Sequence, residues 1–143
     1  MTSFRFPLQK VLDWRGTQLE LEEIRFKQQL MAVAELDRTR AELEAAGMEA
    51  ETQVRDWGSL AGGDLAALGS FRLDVKQKDS EIAARRVECQ KSLETQQRTM
   101  LEARRGCRLL ERLKDRRLAE WTSARDHELE ELASESFLAR WGR

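Results

Sequence analysis

Apolar residues recur at seven-residue spacing over the first third of the chain, as Leu12, Leu19, Phe26 and Val33. A second row then takes over, with Leu36, Leu43, Ala50 and Trp57. Two such interleaved rows are the a and d positions of a coiled-coil helix, separated by charged residues that keep the other faces in water. Arg40 and Gly47 interrupt the seam. Pro7 suits the first turn of a helix, where its missing N–H removes no bond, so helix one is predicted over about 7–57. Glu23/Lys27 and Glu51/Arg55 are expected to pair along it at i,i+4 spacing. The pattern stops at "WGSLAGGDLAALGSF", which holds four of the chain's eight glycines, at 58, 62, 63 and 69. Glycine weakens helix and permits positive φ, so a glycine hinge is predicted at about 58–64, with Asp64 or Ser70 capping the next helix. Helix two is predicted over about 65–138. Its seam runs through Leu68, Phe71, Val75, Ile82, Cys89, Leu93, Met100, Cys107, Leu110 and Trp121, with Lys78, Arg86 and Gln96 as polar intrusions.

Each stripe is narrow and needs a partner. A short hinge makes folding back the entropically cheapest way to supply one. The expected fold is therefore all-α, a long antiparallel two-helix coiled-coil hairpin forming a single domain over 1–143, with Val33 facing Cys89 to Leu93. A parallel homodimer is the alternative, but it has no use for the glycine break.

Composition agrees with helix. Ala, Glu, Lys, Leu and Arg make up 79 of the 143 residues, Pro occurs once and Tyr is absent. That is the make-up of long solvated helices. The 25 basic and 26 acidic side chains leave a net charge of −1, so no global basic field exists to hold nucleic acid. No apolar run approaches a membrane span, and no signal-peptide core is apparent, which points to the cytoplasm. Cys89 and Cys107 on one helix lie about 27 Å apart at ~1.5 Å per residue, too far for a disulfide. Carboxylates are plentiful but sit on faces with nothing to exclude water or shift a pKa. The lone His127 has no nucleophile beside it, and the glycine-rich stretch lacks the Gly-Lys-Ser/Thr ending of a phosphate loop. No enzyme, cofactor or metal is expected.

Candidate chemistry is that of surfaces. Arg104, Arg108, Arg112 and Arg116 stand at strict i,i+4 spacing, so four guanidinium groups line one face and repel one another. Their counter-charges could be Asp13, Glu20, Glu22 and Glu23 of the opposite helix, the reading favoured on the residues alone, or an acidic surface on another protein. Glu128, Glu130, Glu131 and Glu135 form an acidic patch, either a solvated face or a contact for basic groups. Phe71, Val75 and Ile82 would pack near Ala50 and Val54, or dock a partner if the seam is loose there. Phe4 and Phe6, with Leu8, Val11, Leu12 and Trp14 and the cations Arg5, Lys10 and Arg15, would form an extended arm and first turn packed at the end of the hairpin. An interfacial membrane anchor is the other reading.

At both termini the chain resembles the FliJ family of the flagellar type III export apparatus. The family tends to open with an aromatic-basic-aromatic arm and then LQ-x-V-L-x-x-R, matched here by Phe4, Arg5, Phe6, Leu8, Gln9, Val11, Leu12 and Arg15. Near the C-terminus it tends to carry LE-x-LK-x-R and then L-D-E-x-A. Here "LLERLKDRR" supplies Leu110, Glu111, Leu113, Lys114, Arg116 and Arg117, and "LEELA" follows at 129–133, with Glu130 where aspartate is usual. Residues 35–100 match only as generic coiled coil. The resemblance implies a non-enzymatic antiparallel stalk that binds the hexameric export ATPase by its paired termini. Such a stalk promotes assembly of the ATPase ring and links it to the export gate and export chaperones during flagellum biogenesis. Leu8, Val11, Leu12, Arg15 and the four arginines at 104, 108, 112 and 116 would then meet the ATPase, and Phe71, Val75 and Ile82 the gate. The implied location is the cytoplasm, peripheral to the inner membrane at the flagellar base. The stalk of a virulence-type secretion system and a generic coiled-coil scaffold remain alternatives.

Overall fold

The computed structural model describes residues 3–59 and 61–142. Leu60, inside the expected hinge, and residues 1, 2 and 143 of the expected domain lie outside the described residues. Two helices account for nearly all of the rest, α1 over Gln9–Asp56 and α2 over Gly62–Trp141, and no strand occurs among the described residues. The chain divides into two compact units. A terminal unit comprises Met1–Leu21 and Leu101–Arg143, and a hinge unit comprises Glu22–Met100.

In the hinge unit α1 and α2 run antiparallel. Glu51 bonds Arg72, Arg40 bonds Asp79, Asp37 bonds Arg86, and Glu22 bonds Gln96, so α1 numbering falls as α2 numbering rises. Val33, Leu93 and Met100 are buried here, and Phe26, Leu36, Leu43, Val75, Ile82 and Cys89 are half-buried around them. The heptad rows thus form the contact expected of them. Trp57 does not belong to the seam: it follows the last residue of α1 and is 52% exposed. Lys78 is also exposed, and Asp79 takes the half-buried place beside α1. Glu51 spends its carboxylate across the helix pair on Arg72, at 2.9 Å, rather than along α1 on Arg55.

The turn forms without left-handed residues. No described glycine, and no other described residue, has positive φ. Of the four glycines in this stretch only Gly58 lies between the helices, where its low helix propensity favours the break. Helix α2 begins on Gly62 and Gly63 themselves, because Asp64 reaches back: the Ala61 N–H donates to its carboxylate at 3.2 Å, while the Asp64 N–H donates to the Ala61 carbonyl at 3.0 Å. Asp64 therefore works as an acid in the first turn, reciprocally with residue 61, rather than as the residue preceding the helix. Ser70 lies within α2.

In the terminal unit the chain enters α1 through an irregular segment at residues 3–6 and a turn at Pro7–Leu8. The Phe6 carbonyl accepts the Gln9 N–H at 3.1 Å, and the Leu8 carbonyl accepts the Leu12 N–H at 2.9 Å. Phe6 is buried, and the Phe4 ring tilts against Trp121 of α2 with centroids 6.0 Å apart. Phe4, Phe6 and Leu12 pack as the sequence favoured, whereas Leu8, Val11 and Trp14 of the same stretch stay exposed, contrary to the packed end expected of them. Arg15 crosses to α2, where its guanidinium lies beside the bare Cα of Gly106 and over the Trp14 ring.

Candidate interaction surface

The terminal unit gathers the residues expected to meet a partner. Leu8, Val11, Leu12 and Arg15 come from the first turns of α1, and Arg104, Arg108, Arg112 and Arg116 from α2. Leu12 is half-buried, whereas Leu8 and Val11 stay exposed although they are apolar. Arg104 is half-buried and engaged with other groups. Arg108, Arg112 and Arg116 are exposed and make no ion pair with another described residue. The acids expected to supply their counter-charge from the same unit, Asp13 and Glu20, make no ion pair with these three. Asp13 accepts the Gln9 amide, and Glu22 is held by Arg25 and Gln96. A row of like charges at i,i+4 spacing is thus maintained on the surface at a small cost to the helix, about 0.2–0.5 kcal/mol per pair.

Cys107, on the opposite side of this stretch, is buried and carries none of that exposure. Burial pushes its thiol pKa up, and the neighbouring Glu111 carboxylate, 3.8 Å from the sulfur, pushes the same way. The thiolate is therefore scarce at neutral pH, and Cys107 packs as a small apolar side chain.

Phe71, Val75 and Ile82 lie in the hinge unit, on α2. Val75 and Ile82 are half-buried, and Phe71 is 37% exposed. Phe71 and Val75 border an open groove of about 400 Å³ that also touches Arg40, Gly47, Arg72 and Asp79. The groove owes its floor to Gly47, which leaves the Val75 methyl without a side chain to meet: a Cβ there would sit 3.8 Å from Val75 Cγ1. Ile82 does not line it.

What the sequence reading missed is how the polar seam positions are satisfied. Arg40 grips Asp79 with two bonds, of 2.7 and 3.3 Å, and Arg86 grips Asp37 with two, of 2.5 and 3.4 Å. Gln96 reaches both the carboxylate and the backbone carbonyl of Glu22. These forked bonds convert intrusions into register markers. The Arg86 fork holds the Asp37 carboxyl below the usual carboxylate range, chiefly through its hydrogen bond; desolvation opposes this, and the charges of Arg86 and then Arg40 add to the lowering. The signal was present in the sequence: once the chain turns near residue 60, Asp37 and Asp79 fall within a helical turn of Arg86 and Arg40.

No helix among the described residues is long and apolar enough to cross a membrane. His127 is exposed and lies 3.7 Å from Glu131 along its own helix. Comparison with protein-family models, with curated proteins and with solved structures finds no match for this chain.

Proposed function

We propose that the chain is a non-enzymatic coiled-coil stalk of the FliJ kind, binding a hexameric export ATPase through its terminal unit. The observation that carries the proposal is the arginine row. Arg108, Arg112 and Arg116 are exposed and make no ion pair with another described residue, in the same unit as the exposed Leu8 and Val11 of the aromatic-basic arm. The aromatic arm and the LQ-x-V-L-x-x-R and LE-x-LK-x-R segments of the family fall in this same unit. A single stalk serving a six-membered ring benefits from contacts that can be exchanged between subunits. Exposed cations with a thin apolar fringe suit that, because single surface pairs contribute only about 0–1 kcal/mol each. In this reading the groove beside Phe71 and Val75 faces the export gate, chaperones are further partners, and the location is cytoplasmic, at the inner-membrane face of the flagellar base.

The test is binding to and stimulation of a flagellar export ATPase. Replacing Arg108 and Arg112 together by Glu should weaken both by at least ~10-fold at low ionic strength, and the unmodified protein should lose affinity steeply with salt. The control pair is Arg85 and Arg98, because Arg86 is committed to Asp37 and its reversal would strike the helix pair itself. Equal stimulation by a helical 108/112 variant would remove the arginine row from the interface. No binding by the unmodified protein would leave the scaffold reading in its place.

A further inference from the structure

Helix α2 of the terminal unit carries a second pattern, distinct from the heptad seam. Steps of three and four residues, averaging the ~3.6 of a straight α-helix, lead from Leu101 to Trp141 along one line. Every position on this line is exposed. Cys107, Leu110 and Trp121, which are buried or half-buried, lie on the other side of the helix. The exposed face is divided by charge. Residues 104–117 contain seven basic and two acidic side chains, whereas 126–135 contain five acidic ones and no Lys or Arg. Arg108 and Arg112 stand on the first half of the line, Asp126 and Glu130 on the second, and none of the four makes an ion pair with another described residue. Apolar groups close both ends: Leu101 is 44% exposed, and Phe137 is 59% exposed with its ring 5.9 Å from that of Trp141.

We propose that this face of α2 is a self-recognition surface, whose partner, in chains not engaged with the ATPase proposed above, is the same face of a second copy of the chain laid antiparallel across it. The argument is the symmetry of the pattern. Leu101 and Phe137 lie eighteen residues either side of Ala119, Arg108 and Glu130 eleven, and Arg112 and Asp126 seven. A two-fold axis beside Ala119 therefore sets Arg108 against Glu130, Arg112 against Asp126 and Leu101 against Phe137 at once, and each pair occurs twice. That is the requirement of an isologous interface, in which one patch must be complementary to itself. Ala119 is itself exposed and small, which lets two helices approach closely at the axis. Parallel pairing would stack arginine on arginine and carboxylate on carboxylate, so the charge pattern selects the antiparallel arrangement.

The experiment uses the purified full chain alone, by sedimentation equilibrium over a dilution series, so its outcome is independent of any ATPase. The unmodified chain should dimerise, with the dissociation constant rising at least ~10-fold between low and high salt. The Arg108→Glu/Arg112→Glu variant places four carboxylates at each contact, and the Asp126→Arg/Glu130→Arg variant four guanidiniums. Each alone should sediment as a monomer. Mixed in equal amounts they should form a heterodimer, because the reversed charges of one then face the reversed charges of the other. Circular dichroism should show all of these helical. In a Cys89→Ala/Cys107→Ala background, Ala119→Cys should give an interchain disulfide on mild oxidation and Ser134→Cys should not. A monomeric unmodified chain at every concentration, failure of the mixture to associate, or equal crosslinking at 119 and 134 would overturn the proposal.

Discussion

Arg86 and Asp37 show what a single polar pair does in a thin coiled coil. Both positions are solvent-accessible, so the pair is screened and its contribution modest. Its forked geometry still fixes which turn of α1 faces which turn of α2. The pH dependence follows from the sign of the shift. The Asp37 pKa is lowered in the folded chain, first by the Arg86 hydrogen bond. Its contribution is therefore fully present above the unfolded carboxylate value and is lost as pH falls through the lower folded value. Asp37→Asn should lower the thermal midpoint at pH 7, and the gap to the unmodified protein should close as pH drops below ~3.9. Thermal melts across pH 2–8, monitored by circular dichroism, measure this; a gap that stays constant down to pH 2 would mean the pair contributes nothing through its ionisation.

At the scale of the helices, glycine plays two different parts. Gly62 and Gly63 open α2, where low helix propensity matters little because Asp64 supplies the missing acceptor. Gly47 sits deep within α1, half-buried in the seam, and has no such reason to be glycine. A Cβ there would meet Val75 at ordinary contact distance. Gly47→Ala should therefore stabilise the helix by about 1 kcal/mol through propensity, and raise the thermal midpoint by roughly 2–4 °C. A fall in midpoint would show that the floor of the groove is needed open. The helices were legible from the seven-residue spacing of Leu12, Leu19, Phe26 and Val33, since a narrow apolar stripe admits only one kind of partner surface. The end of α1 was less so, because Trp57 continues the period although the helix has already stopped. The groove could not be read at all: it depends on what Gly47 fails to cover, a property of two helices together. The arginine row was visible as a row, but that Arg108, Arg112 and Arg116 make no ion pair with another described residue depends on how long exposed side chains settle, which spacing alone does not fix.

For the molecule as a whole, the thin core decides how stability is distributed. Among the described residues its buried apolar side chains are Phe6, Val33, Leu93, Met100 and Cys107, divided between the two units. Stability in such a chain is a sum of local contributions, as in other structures where each segment touches only its neighbours. Leu93 belongs to the hinge unit, and truncating a buried leucine removes about 2–5 kcal/mol. That is a large share of the 5–15 kcal/mol typical of a domain. Leu93→Ala should therefore lower the amide protection of residues 30–37 and 86–98 far more than that of 105–118 in the terminal unit, where Phe6, Cys107 and the Phe4–Trp121 contact are untouched. Native-state hydrogen exchange followed by mass spectrometry reads both regions in one experiment. Phe6→Ala should produce the opposite pattern. If either substitution lowers protection equally along the whole chain, the two units unfold as one cooperative block, and a partner that grips the terminal unit would stabilise the groove beside Phe71 and Val75 as well.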